Sequence, residues 1–112
     1  MFQPIPKPDY TPWGHADHAE QIFAGVWSLM TPRHGGLYVS EERRKASPFL
    51  QEWMLYTFGR KGYEGWFEED CDWCLVALAF PDEWKAWQGN NGEASLAGAK
   101  GTFDHWIASK AA

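Results

Sequence analysis

The chain has little that would staple, anchor or energise it, and each shortage excludes a class. Its apolar run, Trp73 to Phe80, ends at Pro81, far short of the roughly 20 residues a membrane-spanning helix needs. No membrane partner is expected. The two cysteines, Cys71 and Cys74, stand three apart at the start of that region, which is no framework for a disulfide-stapled secreted fold. Basic residues are outnumbered, 10 Lys and Arg against 15 Asp and Glu for a net charge of −5, so a phosphate-binding surface is disfavoured and no direct nucleic-acid contact is expected. There is no Walker loop, dinucleotide fingerprint, HExxH or nucleophile elbow. MFQPIPKPDY does not read as a basic segment followed by an apolar core, which makes the cytoplasm the expected compartment.

What is present is a core. With 112 residues, of which 45% are hydrophobic, the chain is long enough to bury about two-thirds of its unfolded surface, so 1–112 is read as one domain without internal repeats. Tryptophan stands out, at positions 13, 27, 53, 66, 73, 84, 87 and 106. Indoles bury large areas at the cost of one hydrogen-bond partner, so core and rim packing is the plain reading. Trp84 and Trp87, spaced i, i+3, are the pair that could instead face a partner.

The organising stretch is WFEEDCDWCLVALAFP, residues 66–81. Glu68, Glu69, Asp70 and Asp72 would favour the first turn of a helix, where free N–H groups and the dipole attract negative charge, and Pro81 would block continuation. The spacing predicts a buried helix with an acidic entrance, with a central strand over Leu75 to Phe80 as the competing assignment. Before it, residues 1–12 carry four prolines and read as an extended arm along the surface. EQIFAGVWSLMT, residues 20–31, reads as two strands meeting at Ala24-Gly25, and Gly36 to Ser40 as a third in an antiparallel meander. Ser40 and Ser47-Pro48 are helix starts. The second helix is expected to run to about Phe58 and stop at Gly59. After Pro81 come a short amphipathic turn with Trp84 and Trp87, a loop at 89–92, a flexible small-residue loop at 93–101 and a last helix from Thr102 to about Lys110. The expected fold is α+β, a small antiparallel sheet packed against two or three helices.

Four constellations could carry chemistry. Charge is segregated: Arg33, Arg43, Arg44, Lys45, Arg60 and Lys61 lie outside residues 62–84, which hold seven carboxylates and no lysine or arginine. Either the two groups neutralise each other in the fold or the acidic side meets a basic partner. Glu68 and Asp72, i and i+4 on a helix, could share a proton or hold a hard cation, though acids at a helix start ordinarily serve the dipole. His15 and His18 with Cys71 and Cys74 can be drawn as a four-ligand zinc site, against buried cysteine as a small hydrophobe. His34, before Gly35-Gly36, could sit beside backbone amides that cradle an oxyanion, against a turn histidine bonded to backbone.

TPWG at 11–14, RHGG at 33–36, SEER at 40–43, GWFEEDCDW and VALAFP together resemble a small uncharacterised family of proteobacterial phages, plasmids and mobile elements. The resemblance spans Thr11 to Pro81 and implies a context, that of accessory proteins that bind and block host defence complexes. The expectation is thus an acidic inhibitor or adaptor, anti-CRISPR or otherwise anti-defence, rather than an enzyme. It would dock on a basic protein through Glu64, Glu68, Glu69, Asp70, Asp72, Asp82, Glu83, Trp84 and Trp87 without a cofactor. The alternatives are a small hydrolase or transferase using His34 with Glu68 and Asp72, and a phage structural or assembly protein.

Overall fold

Alternating apolar residues and one glycine turn build the sheet. In the computed structural model, which describes residues 1–111, β1 (His18–Phe23), β2 (Val26–Met30), β3 (Gly35–Val39) and β4 (Trp66–Glu68) pair in that order, each pair antiparallel. The meander is as expected, with Gly25 at φ +87° closing the first hairpin. Register puts Val26, Leu37, Val39 and Phe67 on one face and Trp27, Leu29, Gly36, Tyr38 and Trp66 on the other. The first face joins Leu50, Leu75, Val76 and Trp84 in the main core.

The second face is covered by the arm. Ile5 donates its N–H to the Gln21 side chain and accepts from the Trp27 indole, both at 3.0 Å. Further on, a tight turn closed between Thr11 and Gly14 delivers the Trp13 ring against Gly36. A Cβ there would lie 2.5 Å from the indole and collide with the Phe67 carbonyl. Leu29, fully buried, lies on this face and outside the main core cluster. The proline-rich segment is therefore a third layer of the domain.

The organising stretch divides where a single helix was expected. Trp66 to Glu68 becomes β4, because the edge of β3 offers pairing and the alternation of Phe67 inward with its neighbours outward suits a strand. The acids then occupy turns, and α3 (Trp73–Ala79) begins only afterwards. Cys74, Leu75, Val76 and Ala77 are all fully buried, and each large side chain among them stabilises by about 1.5–3 kcal/mol. A buried helix at the centre is thus right, its acidic entrance and its start are not. Pro81 ends α3 by restricting Phe80 (φ −130°, ψ 61°) and at once opens α4 (Pro81–Gln88) from its first position.

Around this centre lie α1 (Glu41–Ala46) and α2 (Pro48–Trp53), capped by Ser40 and Ser47 as expected. The second is shorter than expected: 3-10 turns at Met54–Tyr56 and Phe58–Lys61 follow it, and the left-handed Gly62, not Gly59, closes the segment. The stretch read as a loop at 93–101 lies within α5 (Gly92–Thr102), which runs through a π-helical turn at Phe103–Ile107 into α6 (Ala108–Ala111). Thr102 ends a helix instead of capping one. Glycine lowers helix propensity, yet Gly92 permits close approach, since a Cβ there would sit 2.9 Å from the Lys85 carbonyl, and the small Ala99 is fully buried. The fold class is α+β as expected, with more helix than the two or three segments foreseen.

One side chain joins the layers. Arg43 of α1 is fully buried. Its Nε donates to the Ala24 carbonyl at 2.6 Å, and its two terminal nitrogens donate to the Glu83 carboxylate of α4 at 2.8 and 2.7 Å. The guanidinium lies over Phe2, Phe23 and Phe80, with 4.2, 5.0 and 4.6 Å to the ring centroids. Removing the acid strands a buried charge, so Glu83→Ala should cost about 3–5 kcal/mol in denaturant unfolding. Arg43→Met leaves only the Ala24 carbonyl unpaired, because Glu83 is 43% exposed, and should cost about 1–3 kcal/mol. Equal losses would show that packing, not charge, dominates at this position.

Candidate functional site

Strand β4 and the turn after it place the acids in three different settings. Glu69 and Asp70 are exposed, Glu68 is half-buried and Asp72 is buried at 1% exposure. Because Asp72 lies beyond a turn, it folds back. Its Oδ2 accepts from the Phe58 N–H at 3.0 Å and from the Glu68 N–H at 3.4 Å, tying the 3-10 segment and β4 to the start of α3. Its Oδ1 is buried without a partner. Burial pushes the Asp72 carboxyl above its ordinary value, against the two backbone donors, which favour the charged form. Glu68 and Asp72 are thus not two carboxylates on one helix face, as the spacing suggested; one of them is structural.

Both border a cleft of about 600 Å³ that also includes Arg60, Lys61, Trp106 and Lys110. The Lys110 Nζ lies 3.4 Å from the centroid of the Trp106 ring. Cations stand around a buried carboxylate, but no nucleophile is poised: the Thr57 hydroxyl in the same wall donates to the Met54 carbonyl at 2.7 Å.

His34 is not brought to these carboxylates. It is exposed in the β2–β3 turn, where its N–H donates to the Thr31 hydroxyl (3.1 Å) and its carbonyl accepts from the Thr31 N–H and hydroxyl (2.7 and 2.8 Å). The cleft lined by Glu68 and Asp72 does not include it. Gly35 and Gly36 serve close packing, with Met30 and Glu69 beside the first and Trp13 on the second, instead of an oxyanion cradle. The backbone-bonded turn is the observed arrangement.

The drawn zinc site is not assembled either. Among the described residues no group of three or more His, Cys, Asp or Glu side chains is placed to hold a metal ion; His15 and His18 are exposed, while Cys74 is buried and Cys71 half-buried. Burial pushes the Cys74 thiol up to about 12 and raises that of Cys71, which keeps both protonated and poor as ligands or nucleophiles.

Of the remaining expected binding residues, two are internal. Trp84 is 5% exposed, stacked on Trp73 at 5.7 Å and edge-on to Trp87 at 5.0 Å, and its indole donates to the Ser95 hydroxyl at 2.8 Å. It is core, and Trp87 packs against that core half-buried. Glu83 is committed to Arg43. Asp82 and Glu64 stay exposed, the latter only 3.9 Å from Arg44. The reading that the basic and acidic groups neutralise each other holds for Arg43 with Glu83 and Arg44 with Glu64; sequence reasoning missed the burial of Arg43 and the placement of Arg60, Lys61 and Lys110 in the cleft beside Asp72, since nothing local distinguishes a lysine or arginine that folding carries there.

Fold and surface together define a small α+β domain whose clefts are lined by charge and whose described residues assemble no nucleophile–base pair at the expected positions. The chain belongs to the family described as a domain of unknown function, DUF7007, which matches residues 6–110. No curated protein and no solved structure matches it. No helix among the described residues is long and apolar enough to cross a membrane.

Asp72 yields a prediction with a defined sign. A carboxyl whose folded value is raised above its ordinary 3.8 contributes stability below that value and loses it as pH rises through the raised value. Wild-type urea midpoints should therefore carry a downward component as pH rises above about 4, and Asp72→Asn, which keeps an acceptor for the two N–H groups, should lack it. Asp72→Ala should lose about 1–3 kcal/mol for each N–H left unpaired in the interior. The same pH profile in wild type and Asn variant would refute this assignment.

Proposed function

We propose that this protein is a cytoplasmic binding module that docks on a basic protein surface and works by occlusion rather than by catalysis. One observation carries the reading. Arg43, Arg44 and Lys45 each have a carboxylate within reach, Glu83, Glu64 and Glu41 in turn, whereas Glu68, Glu69 and Asp70 follow one another with no ion-pair partner among the described residues. Unmatched charge on a turn speeds encounter with an opposite surface and penalises wrong partners.

The resemblance to proteins of phages and plasmids gives the proposal its specific form: an anti-CRISPR or other anti-defence inhibitor whose target is a host complex with a basic surface that otherwise grips nucleic acid. The acidic turn would take the place of phosphates on that surface without the chain itself binding nucleic acid. The hydrolase or transferase alternative loses its histidine, because His34 does not line the cleft that Glu68 and Asp72 border.

The test is capture from host lysate at low and high salt, with the double reversal Glu69→Lys and Asp70→Lys alongside. Both residues are exposed, so the variant should keep its fold, whereas reversal at Glu83 would unfold the Arg43 site. A partner held at low salt, released at high salt and associating roughly tenfold or more slowly with the variant supports the reading. Retention indifferent to salt and to the reversal overturns it.

A further inference from the structure

A second concavity, about 350 Å³, opens between the arm and the loop that leads into β4. Its walls include the rings of Tyr10, Tyr38, Tyr63 and Trp66 and the carboxylates of Asp9 and Glu64, and no lysine or arginine lines it. The wall is held by a chain of ring contacts. Tyr38 meets Trp66 at 4.9 Å, Trp66 meets Trp13 edge-on at 5.7 Å, Trp13 meets Phe58 at 5.7 Å and Phe58 meets Tyr63 at 4.9 Å. Gly62 and Gly65, at φ +99° and +92°, shape the loop, and Gly65 lets it close on Tyr38, whose ring would lie 2.8 Å from a Cβ at that position.

These rings are not spent on the core. Tyr10 is 75% and Tyr63 44% exposed. Glu64 meets Arg44 only through Oε2, at 3.9 Å and without a hydrogen bond, and its side chain is 82% exposed, so Oε1 stays open to a second cation. Aromatic faces present negative potential to a cation, and with two carboxylates at the rim they suit an organic ammonium, whose methylene stem lies along the rings while its charge meets the acids. A bare metal ion would gain little from the four rings, and an anion would be repelled by both acids.

We propose that this pocket receives the ammonium group of a lysine side chain, plain or methylated, presented by the basic partner. The inference rests on the binding-module reading and deepens it, turning a diffuse electrostatic attraction into one anchoring contact. It also gives Tyr10, 75% exposed, a role that packing does not.

The experiment uses the full chain and small probes. N-acetyl-lysine methylamide, its Nε-trimethyl form and the uncharged norleucine analogue are titrated while the Trp66 indole and the tyrosine ring resonances are followed by NMR. The two cationic probes should shift Trp66 and Tyr63 saturably, with norleucine at least tenfold weaker. Tyr63→Leu with Glu64→Gln should weaken cationic binding at least tenfold while leaving the shifts of core resonances in place, because Glu64 is exposed and Tyr63 packs on Phe58, outside the main core. Glu69→Lys with Asp70→Lys, away from the pocket, should leave it unchanged. Equal response to norleucine, absence of saturable shifts, or unaltered binding by the Tyr63/Glu64 variant overturns the pocket. A basic partner retained by that variant with unchanged affinity also overturns it and leaves the binding-module reading standing; a pocket that takes the probes in a protein that retains no basic partner separates the two in the opposite sense.

Discussion

A buried guanidinium must be satisfied on every side or expelled, and Arg43 imposes that requirement on this fold. Its donors reach Ala24 in the β1–β2 turn and Glu83 in α4, and its faces are covered by Phe2, Phe23 and Phe80. Arm, hairpin, α1 and α4 therefore meet at one charge. The turn is further fixed by Gly25, which accepts from the Ser40 N–H at 2.8 Å and donates to the Gln21 side chain at 2.9 Å, so the cap of α1 and the hairpin form a single unit. The fork geometry of arginine makes the site specific, since a lysine could not hold a bidentate acid and a carbonyl at once.

Much of this was legible because local and tertiary signals agree. The hairpin at Ala24-Gly25, the caps at Ser40 and Ser47 and the surface path of the proline arm follow from turn chemistry, capping and φ restriction. The misreadings have one cause in common, that pairing and packing outweigh local preference. Trp66 to Glu68 stands next to an acidic run suited to a helix start, yet β3 had an edge to fill. The glycine-broken run from 92 looks like a loop until Gly92 is seen to make room for the neighbouring turn of α4. Pro81 was rightly read as a stop, and the same fixed φ that ends α3 also begins α4.

The candidate sites divide in the same way. Residues whose role is set by exposure, Glu64, Glu69, Asp70 and Asp82, stand in water as their composition suggests. Those whose role depends on distant partners do not follow from sequence: Glu83 neutralises an arginine 40 residues away, Trp84 belongs to a stack with Trp73, and Asp72 ties two backbone amides. Gly35 and Gly36 carry the plainest lesson. A glycine pair beside a histidine invites a catalytic reading, but here absent side chains make room for methionine and indole.

The arm on the second face of the sheet has a consequence for the order of assembly. Phe2 contacts Phe80 and Trp13 rests on Gly36 beside the Phe67 carbonyl, so part of the seat of the arm exists only once residues far along the chain have folded. Long-range pairings of this kind make folding slow relative to helix-rich chains of similar length. The proline content of the arm suits that interval, because a segment biased to an extended, donor-poor conformation resists premature helix or sheet. A segment so biased stays open until the face it covers exists, and then acts as a clasp over a sheet already made.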